Sequence, residues 1–336
     1  MRLLIVAVLW ILAVPAAGVD HPQARATSEK AAPDNFRRPK DEAELRQWLE
    51  NMVWHHRFTG AEMTAATGLS AEEITAATKK FDLRQQTRPK RKPGDPLLVL
   101  PYPGGRHPRI GFLDGAIRPH RETKVSVFAP WDAASYVVVD VPEAIWWNRG
   151  GGRELLYLAH THIPTTWDKQ GVKLKPLEWS RGDGGSLSVE RTLPNQVAFG
   201  TRVTPGKDGV RMEMWLTNGS QEKLGGLRVQ NCVMLKGAAE FRAQTNDNKV
   251  TKAPYVACRN AQGDRWVITA WKPNQRTWSN PPCPCMHSDP QFPDCPPGKT
   301  VRLRGWLSFY EGRDVQGEFA RLDRMGWQAK QQPSEP

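Results

Sequence analysis

The feature that most constrains this chain is a change in hydrophobic period near residue 97, from helical spacing to strict alternation. In VRMEMWLT (210–217) every second residue is apolar, which is typical of a strand with one buried face. We place ten such segments at residues 97–100, 124–129, 136–141, 154–160, 186–193, 197–203, 210–217, 227–235, 265–272 and 300–310. Because no helical pattern separates them, we predict a mostly β fold, a large antiparallel β-sandwich over residues 97–312.

Residues 41–83 have a different pattern and predict a small N-terminal three-helix module. DEAELRQWLENMVWHH has apolar residues at helical spacing behind an acidic first turn. Thr59 with Glu62, and Ser70 with Glu73, have the spacing of two capping boxes.

The stretch EMTAATGLSAEEITAA resembles a helix-turn-helix. Its second helix, 71–80, carries two acids near the N-terminus, where base contacts would form and where phosphate is repelled. We therefore expect no nucleic-acid partner and interpret the module as a packing unit or a docking site for a protein partner.

The remaining segments flank these two domains. Residues 1–18 contain an uninterrupted apolar run followed by small residues, the pattern of a signal peptide, so we expect a secreted or periplasmic protein without a membrane span. Residues 19–40 form a disordered basic segment and residues 84–96 a basic linker, with seven Lys or Arg against one Asp over residues 79–92. Residues 313–336 form a C-terminal tail.

Five cysteines are present, and in an exported chain disulfides are expected before metal binding. Cys283, Cys285 and Cys295 lie in one Pro-rich loop, which a bridge from Cys295 to Cys283 or to Cys258 would restrain. We expect Cys232 to remain as the unpaired thiol.

His160 and His162 end an apolar strand and point to the same side of it. Three interpretations remain open: a metal pair completed by His287 or Asp289, hydrogen-bond donors to a sugar, or strand-end side chains bonded to loop backbone. No spacing fixes a third metal ligand, so the sequence predicts no metal site and no cofactor.

Aromatic residues next to carboxylates follow in the same region, a combination that suits a carbohydrate cleft. Trp167-Asp168 and Glu178-Trp179 each provide a flat ring and a carboxylate, and Asp168 and Glu178 could act as acid and base beside the histidines. The alternative is that the rings close the sandwich and the acids are solvated. Further candidate substrate contacts are Trp146, Arg118, His120 and Trp271.

The segments DGVRMEMWLTNGSQEKLGGLRVQNCVMLKG and PGKTVRLRGWLSFYEG resemble the galactose mutarotase-like supersandwich superfamily. Leu216-Thr217-Asn218 matches the end of one family strand, and Pro297-Gly298-Lys299 matches the turn before the last core strand. The resemblance covers residues 97–312 and implies a face that holds carbohydrate. Where the family has its catalytic histidine this chain has Asn231, which cannot act as a general base, so Asn231 is at most a substrate contact. The whole chain is also similar to a group of secreted bacterial proteins, which implies no particular chemistry.

Two functional hypotheses follow. The first is an exported protein that binds or processes carbohydrate, as a lyase, hydrolase or epimerase, through His160, His162 and one carboxylate. The second is a non-catalytic binding or assembly module of the envelope that uses its Trp residues as a contact surface.

Overall fold

The computed structural model describes residues 36–110, 121–160 and 163–329. The fold is mostly β, with two antiparallel sheets and several helices. The helices are α1 (Glu42–Glu50), α2 (Gly60–Thr67), α3 (Ala71–Lys80), α4 (Thr166–Lys169) and α5 (Val315–Met325), with a π-helical turn at Asn51–His56. The strands are β1 (Val99–Pro101), β2 (Lys124–Phe128), β3 (Tyr136–Arg149), β4 (Gly152–Leu158), β5 (Ser180–Arg181), β6 (Leu187–Thr192), β7 (Val197–Pro205), β8 (Val210–Asn218), β9 (Leu227–Met234), β10 (Lys249–Lys252), β11 (Tyr255–Arg259), β12 (Arg265–Lys272), β13 (Asn274–Asn280), β14 (Cys285–Pro290) and β15 (Thr300–Glu311).

The strands form two sheets, which we call sheet A and sheet B. Sheet A has seven strands in the order β1-β2-β3-β9-β14-β13, with β4 paired to the second half of β3. Sheet B has eight strands in the order β10-β11-β12-β15-β8-β7-β6-β5. The long strand β3 therefore contacts β2, β4 and β9, and it crosses the middle of sheet A.

The main hydrophobic core lies between the two sheets and takes alternate residues from their strands. In β8 the burial alternates along the strand as the sequence pattern predicts, and Met212 and Leu216 face the core. Val137, Val139 and Val141 of β3 enter the same core from sheet A. Residues between them must therefore point to the opposite side of sheet A, which we call its outer face.

The outer face of sheet B is covered by α5, within the segment assigned to the C-terminal tail. The Phe319 ring stacks on the Tyr255 ring at 4.7 Å between centroids, and Trp327 donates a hydrogen bond from its indole to the Tyr255 hydroxyl at 3.0 Å. An amphipathic helix on an apolar sheet face removes both apolar surfaces from water.

One end of the outer face of sheet A contacts the residues that follow α1. His56 lies among Phe58, Tyr102, Phe128 and Tyr136, with ring centroids 4.7–5.8 Å away. Both predicted capping boxes, at the starts of α2 and α3, are present. None of the helices in the described ranges is long and apolar enough to cross a bilayer.

The Pro-rich segment near residue 285 differs from the prediction, because it contains strand β14 rather than only a loop. Pairing with β13 and with Val233 and Met234 of β9 overrides the local preference of the prolines.

The predicted disulfides are also absent, and all five cysteines are buried free thiols. Cys283 and Cys285 lie on the outer face of sheet A with Cys232, whereas Cys258 and Cys295 lie in the core between the sheets. The Cys295 thiol donates to the Lys299 carbonyl at 3.1 Å instead of bonding to another sulfur.

Candidate functional site

A bulge in β3 creates the polar centre of the outer face of sheet A. The register between β3 and β9 shifts between Asp140 and Ala144, and Glu143 lies inside this irregular segment. Lys124 on β2 is paired in register with Asp140 on β3. Its Nζ lies 2.8 Å from the Asp140 carboxylate, and neither side chain is exposed. Arg109 and His160 both contact Glu143, with 2.9 Å between His160 Nε2 and Glu143 Oε1.

Burial and neighbouring charges divide these groups into neutral and ionised members. Burial raises the pKa of Asp140 to about 6 even though Lys124 lies beside it. Burial also opposes the ionisation of Glu143, but the Arg109 guanidinium holds the pKa of that carboxyl well below its usual range. Burial lowers the pKa of His160 to about 3. Near neutral pH the site therefore pairs a neutral imidazole with an ionised carboxylate.

The tautomer of His160 follows from this pairing. An ionised carboxylate only accepts hydrogen bonds, so His160 Nε2 donates to Glu143 and Nδ1 is the basic ring nitrogen. The second carboxylate oxygen of Glu143 accepts from Gln230 at 2.9 Å. Each oxygen of this buried carboxylate therefore has a donor.

His287 extends the polar centre toward β13 and β14. Its Nδ1 lies 3.8 Å from Glu143 Oε2 and 2.7 Å from the carbonyl oxygen of Asn231. The Trp278 ring stacks on the His287 ring at 3.8 Å, and its indole donates to Asp289 at 2.7 Å.

Indole and guanidinium groups form a row beside this polar centre, which we call the basic-aromatic row. Arg153 lies 3.8 Å from the Trp146 ring, and Arg276 lies 4.7 Å from the Trp278 ring. Arg228 is paired in register with Trp146, and burial together with the charges of Arg228 and Arg276 lowers the pKa of Arg153. The three cations are therefore close enough to repel one another, as in a site for an anionic ligand.

Of the predicted site residues, His160 lies in the polar centre and Trp146 lies in the basic-aromatic row. His162, Arg118 and His120 lie outside the described residues.

The other predicted residues lie elsewhere. Asp168 accepts the backbone and side-chain hydrogen bonds of Thr165 in the capping box of α4. Trp167 is buried in the main core, where its indole donates to the Leu156 carbonyl at 2.7 Å. Trp271 is fully buried between the sheets, so its ring is not a surface for stacking.

The side chains of Asn231 and Glu178 also lie apart from the polar centre. Asn231 falls between Val229 and Val233, which enter the main core, and its side-chain amide has no hydrogen-bond partner within the described ranges. Glu178 contacts Arg37 and Arg121 at 2.6 Å and 3.1 Å and lines a separate cleft of about 510 Å³.

Two groups in the described part of the chain place three possible metal-ligand atoms within 4.8 Å of one another. The first is Asp140, Glu143 and His160, where Lys124 and Arg109 already compensate both carboxylates. The second is formed by Cys232, Cys285 and His287.

Sequence reasoning missed Glu143 as the partner of His160, and it missed Asp140 and Lys124. A signal was present, since Lys124 begins the apolar strand KVSVFA and Asp140 interrupts the apolar strand YVVVDV. Burying a charged residue costs free energy unless the charge is paired, so each of these residues indicates a partner of opposite charge across the sheet.

No protein-family model matches the chain, and no curated protein matches it by sequence. Among solved structures it is similar to the Slr1438 protein from Synechocystis sp. PCC 6803, with 9% identity, a TM-score of 0.36, and coverage of 66% of this chain and 99% of that one. It is also similar to the heparan sulfate lyase HepC from Pedobacter heparinus, with 10% identity, a TM-score of 0.33, and coverage of 82% of this chain and 43% of that one. The chain thus spans less than half of the lyase, and TM-scores this low do not establish a shared fold.

Proposed function

We propose that this chain is an exported protein of mutarotase-like architecture that binds an acidic carbohydrate on the outer face of sheet A. The observation that carries the proposal is the basic-aromatic row. Trp146 and Trp278 offer flat rings for sugar C–H faces, and Arg153, Arg228 and Arg276 offer guanidinium groups for carboxylate or sulfate. The leader pattern in residues 1–18 supports export.

The polar centre next to this row supplies groups for acid-base chemistry. His160 is neutral with its lone pair on Nδ1, and Glu143 accepts the hydrogen bond that His160 Nε2 donates. We assign Glu143, rather than Asp168 or Glu178, as the carboxylate that orients His160, because it makes the direct contact. An uncharged imidazole oriented by a carboxylate can accept a proton from a sugar carbon next to a carboxylate, but a pKa of about 3 makes His160 a weak base at neutral pH.

The burial of the same residues favours a second candidate function. His160 and Glu143 are each only 3% exposed, which suits a structural role and a binding module without catalysis. In this alternative α1, α2 and α3 act as the docking unit for a protein partner.

Binding and turnover on defined oligosaccharides test the proposal. The full chain is assayed against neutral, uronate-bearing and sulfated oligosaccharides of equal length, and bound ligands are examined for products. Trp278→Ala and Arg276→Gln are expected to weaken binding about tenfold each, since each removes a contact of about 1–2 kcal/mol.

Trp215→Ala is the matched control, because Arg302 lies 5.9 Å from the Trp215 ring in a similar pair on sheet B. Equal loss of binding in Trp215→Ala, or equal affinity for neutral and acidic sugars, would contradict the proposal. Loss of turnover with intact binding in His160→Ala supports catalysis, whereas binding without any turnover supports the binding module.

A further inference from the structure

Cys232, Cys285 and His287 bring two thiols and an imidazole together on the outer face of sheet A. Cys285 and His287 are two residues apart on β14, so they share one face, and Cys232 comes from the paired strand β9. The Cys285 Sγ lies 3.2 Å from His287 Nε2, and all three ligand atoms lie within 4.8 Å of one another. All three side chains are buried.

Hydrogen bonds fix which ring nitrogen of His287 faces the sulfurs. A backbone carbonyl only accepts, so Nδ1 carries a proton and donates it to the Asn231 oxygen at 2.7 Å, which leaves Nε2 as the ring nitrogen that can bind a metal ion. Metal-ligating histidines commonly hold the other ring nitrogen in this way.

A second layer of contacts holds that carbonyl and the ring. The Asn231 backbone N–H donates to Asp289 Oδ1 at 3.1 Å, and Asp289 Oδ2 accepts from Trp278 and Arg276 at 2.7 Å and 2.9 Å. The Trp278 ring packs flat on His287, with an interplanar angle of 9°. The imidazole is therefore positioned before any ligand arrives.

The separations suit a small tetrahedral cation. Ligand atoms about 2.0–2.3 Å from a tetrahedral zinc ion lie about 3.5–3.8 Å from one another. Here Cys285 Sγ and His287 Nε2 lie 3.2 Å apart and the other pairs lie at most 4.8 Å apart, so small side-chain rotations would complete the geometry. Two thiolates and an imidazole favour zinc-like ions over calcium or magnesium, which prefer oxygen ligands.

We propose that Cys232, Cys285 and His287 bind one divalent transition-metal ion of the zinc class and leave a fourth coordination position open. Each of the two thiols releases one proton to solvent, and two S–metal bonds and one N–metal bond form without any change of oxidation state. The ion cancels the charge of the two thiolates, so a buried neutral site results. This proposal does not depend on carbohydrate binding.

The test is a cobalt titration of the full chain after chelator treatment and reduction. Co²⁺ alone is the probe, because its bonds to thiolates give charge-transfer absorption in the near ultraviolet. We expect saturation at one equivalent, loss of the absorption when Zn²⁺ is added, and a zinc content near one per chain in protein purified without chelator.

Variants separate this site from the other thiols. Cys232→Ser and Cys285→Ser are expected to lower the charge-transfer intensity by about half, and His287→Gln to weaken Co²⁺ binding at least tenfold while keeping the thiolate band. The matched controls are Cys258→Ser and Cys295→Ser, which remove buried thiols in the main core and should leave the titration unchanged.

Three results would overturn the proposal. The first is the absence of a charge-transfer band when Co²⁺ is added to the reduced wild-type chain. The second is an equal loss of that band in Cys258→Ser and in Cys285→Ser. The third is a Cys232–Cys285 disulfide detected by mass spectrometry in the native protein. The wild-type titration and the thiol state decide the matter even where a variant fails to fold.

Discussion

His56→Gln is expected to make the chain markedly less sensitive to mild acid. His56 is buried between the π-helical turn and sheet A, with Nδ1 3.2 Å from the Asn51 carbonyl oxygen and Nε2 2.7 Å from the Ser126 hydroxyl. The carbonyl only accepts, so Nδ1 donates and Nε2 accepts from the hydroxyl. Burial lowers the pKa of His56 to about 3, so the ring stays neutral in the folded chain.

The sign and size of the effect follow from linkage. In the unfolded chain the ring titrates near its model value of 6.5, so below that pH the unfolded state binds a proton that the folded state does not. Folding stability therefore falls as the pH decreases from 6.5 toward 3. Between about pH 6.5 and about pH 4.5 this single ring removes about 2 kcal/mol from the free energy of unfolding.

Urea unfolding at several pH values in this window measures the difference. The glutamine variant should lose about 2 kcal/mol less than the wild type over the same interval, whatever its stability at neutral pH. Ser126→Ala is the matched control, because it removes the hydrogen bond to Nε2 but leaves the buried ring to titrate, so its pH dependence should follow the wild type. Parallel pH profiles for wild type and His56→Gln would refute the reasoning.

Two further predictions concern the sheets. Lys124→Met leaves the buried Asp140 carboxylate without its cation and should cost about 3–5 kcal/mol in urea unfolding. The double variant Lys124→Met/Asp140→Leu should recover most of the lost free energy of unfolding. Wild-type stability in the single variant would contradict a stabilising ion pair between Lys124 and Asp140. Gly305→Ala should cost about 1–3 kcal/mol, because a Cβ there would lie 2.5 Å from the Trp271 ring. Gly60→Ala, where a Cβ meets nothing within 4 Å, should be neutral or slightly stabilising. Thermal melts of the two variants compare them, and equal losses for both would contradict the packing argument.

The sequence alone was sufficient for the β-rich class, many of the strands and the two capping boxes. These features depend on local periodicity and on contacts three residues apart, which a single chain displays directly. The alternation in β8 is an example, since each apolar residue that it marks is buried.

Only the tertiary structure decided which polar residues meet. Glu143 reaches His160 because a bulge in β3 breaks the alternation of side-chain directions between Asp140 and Ala144. No local sequence pattern indicates that irregularity. The alternation of apolar residues also does not show which face of a strand is covered by the other sheet. Trp167 and Trp271 could therefore be taken for surface rings, although both lie in the core. Cys285 and His287 belong to a segment whose strand form depends on pairing with β9 and β13. Local periodicity thus determined the strands, whereas the long-range pairing of those strands decided which chemical groups share a site.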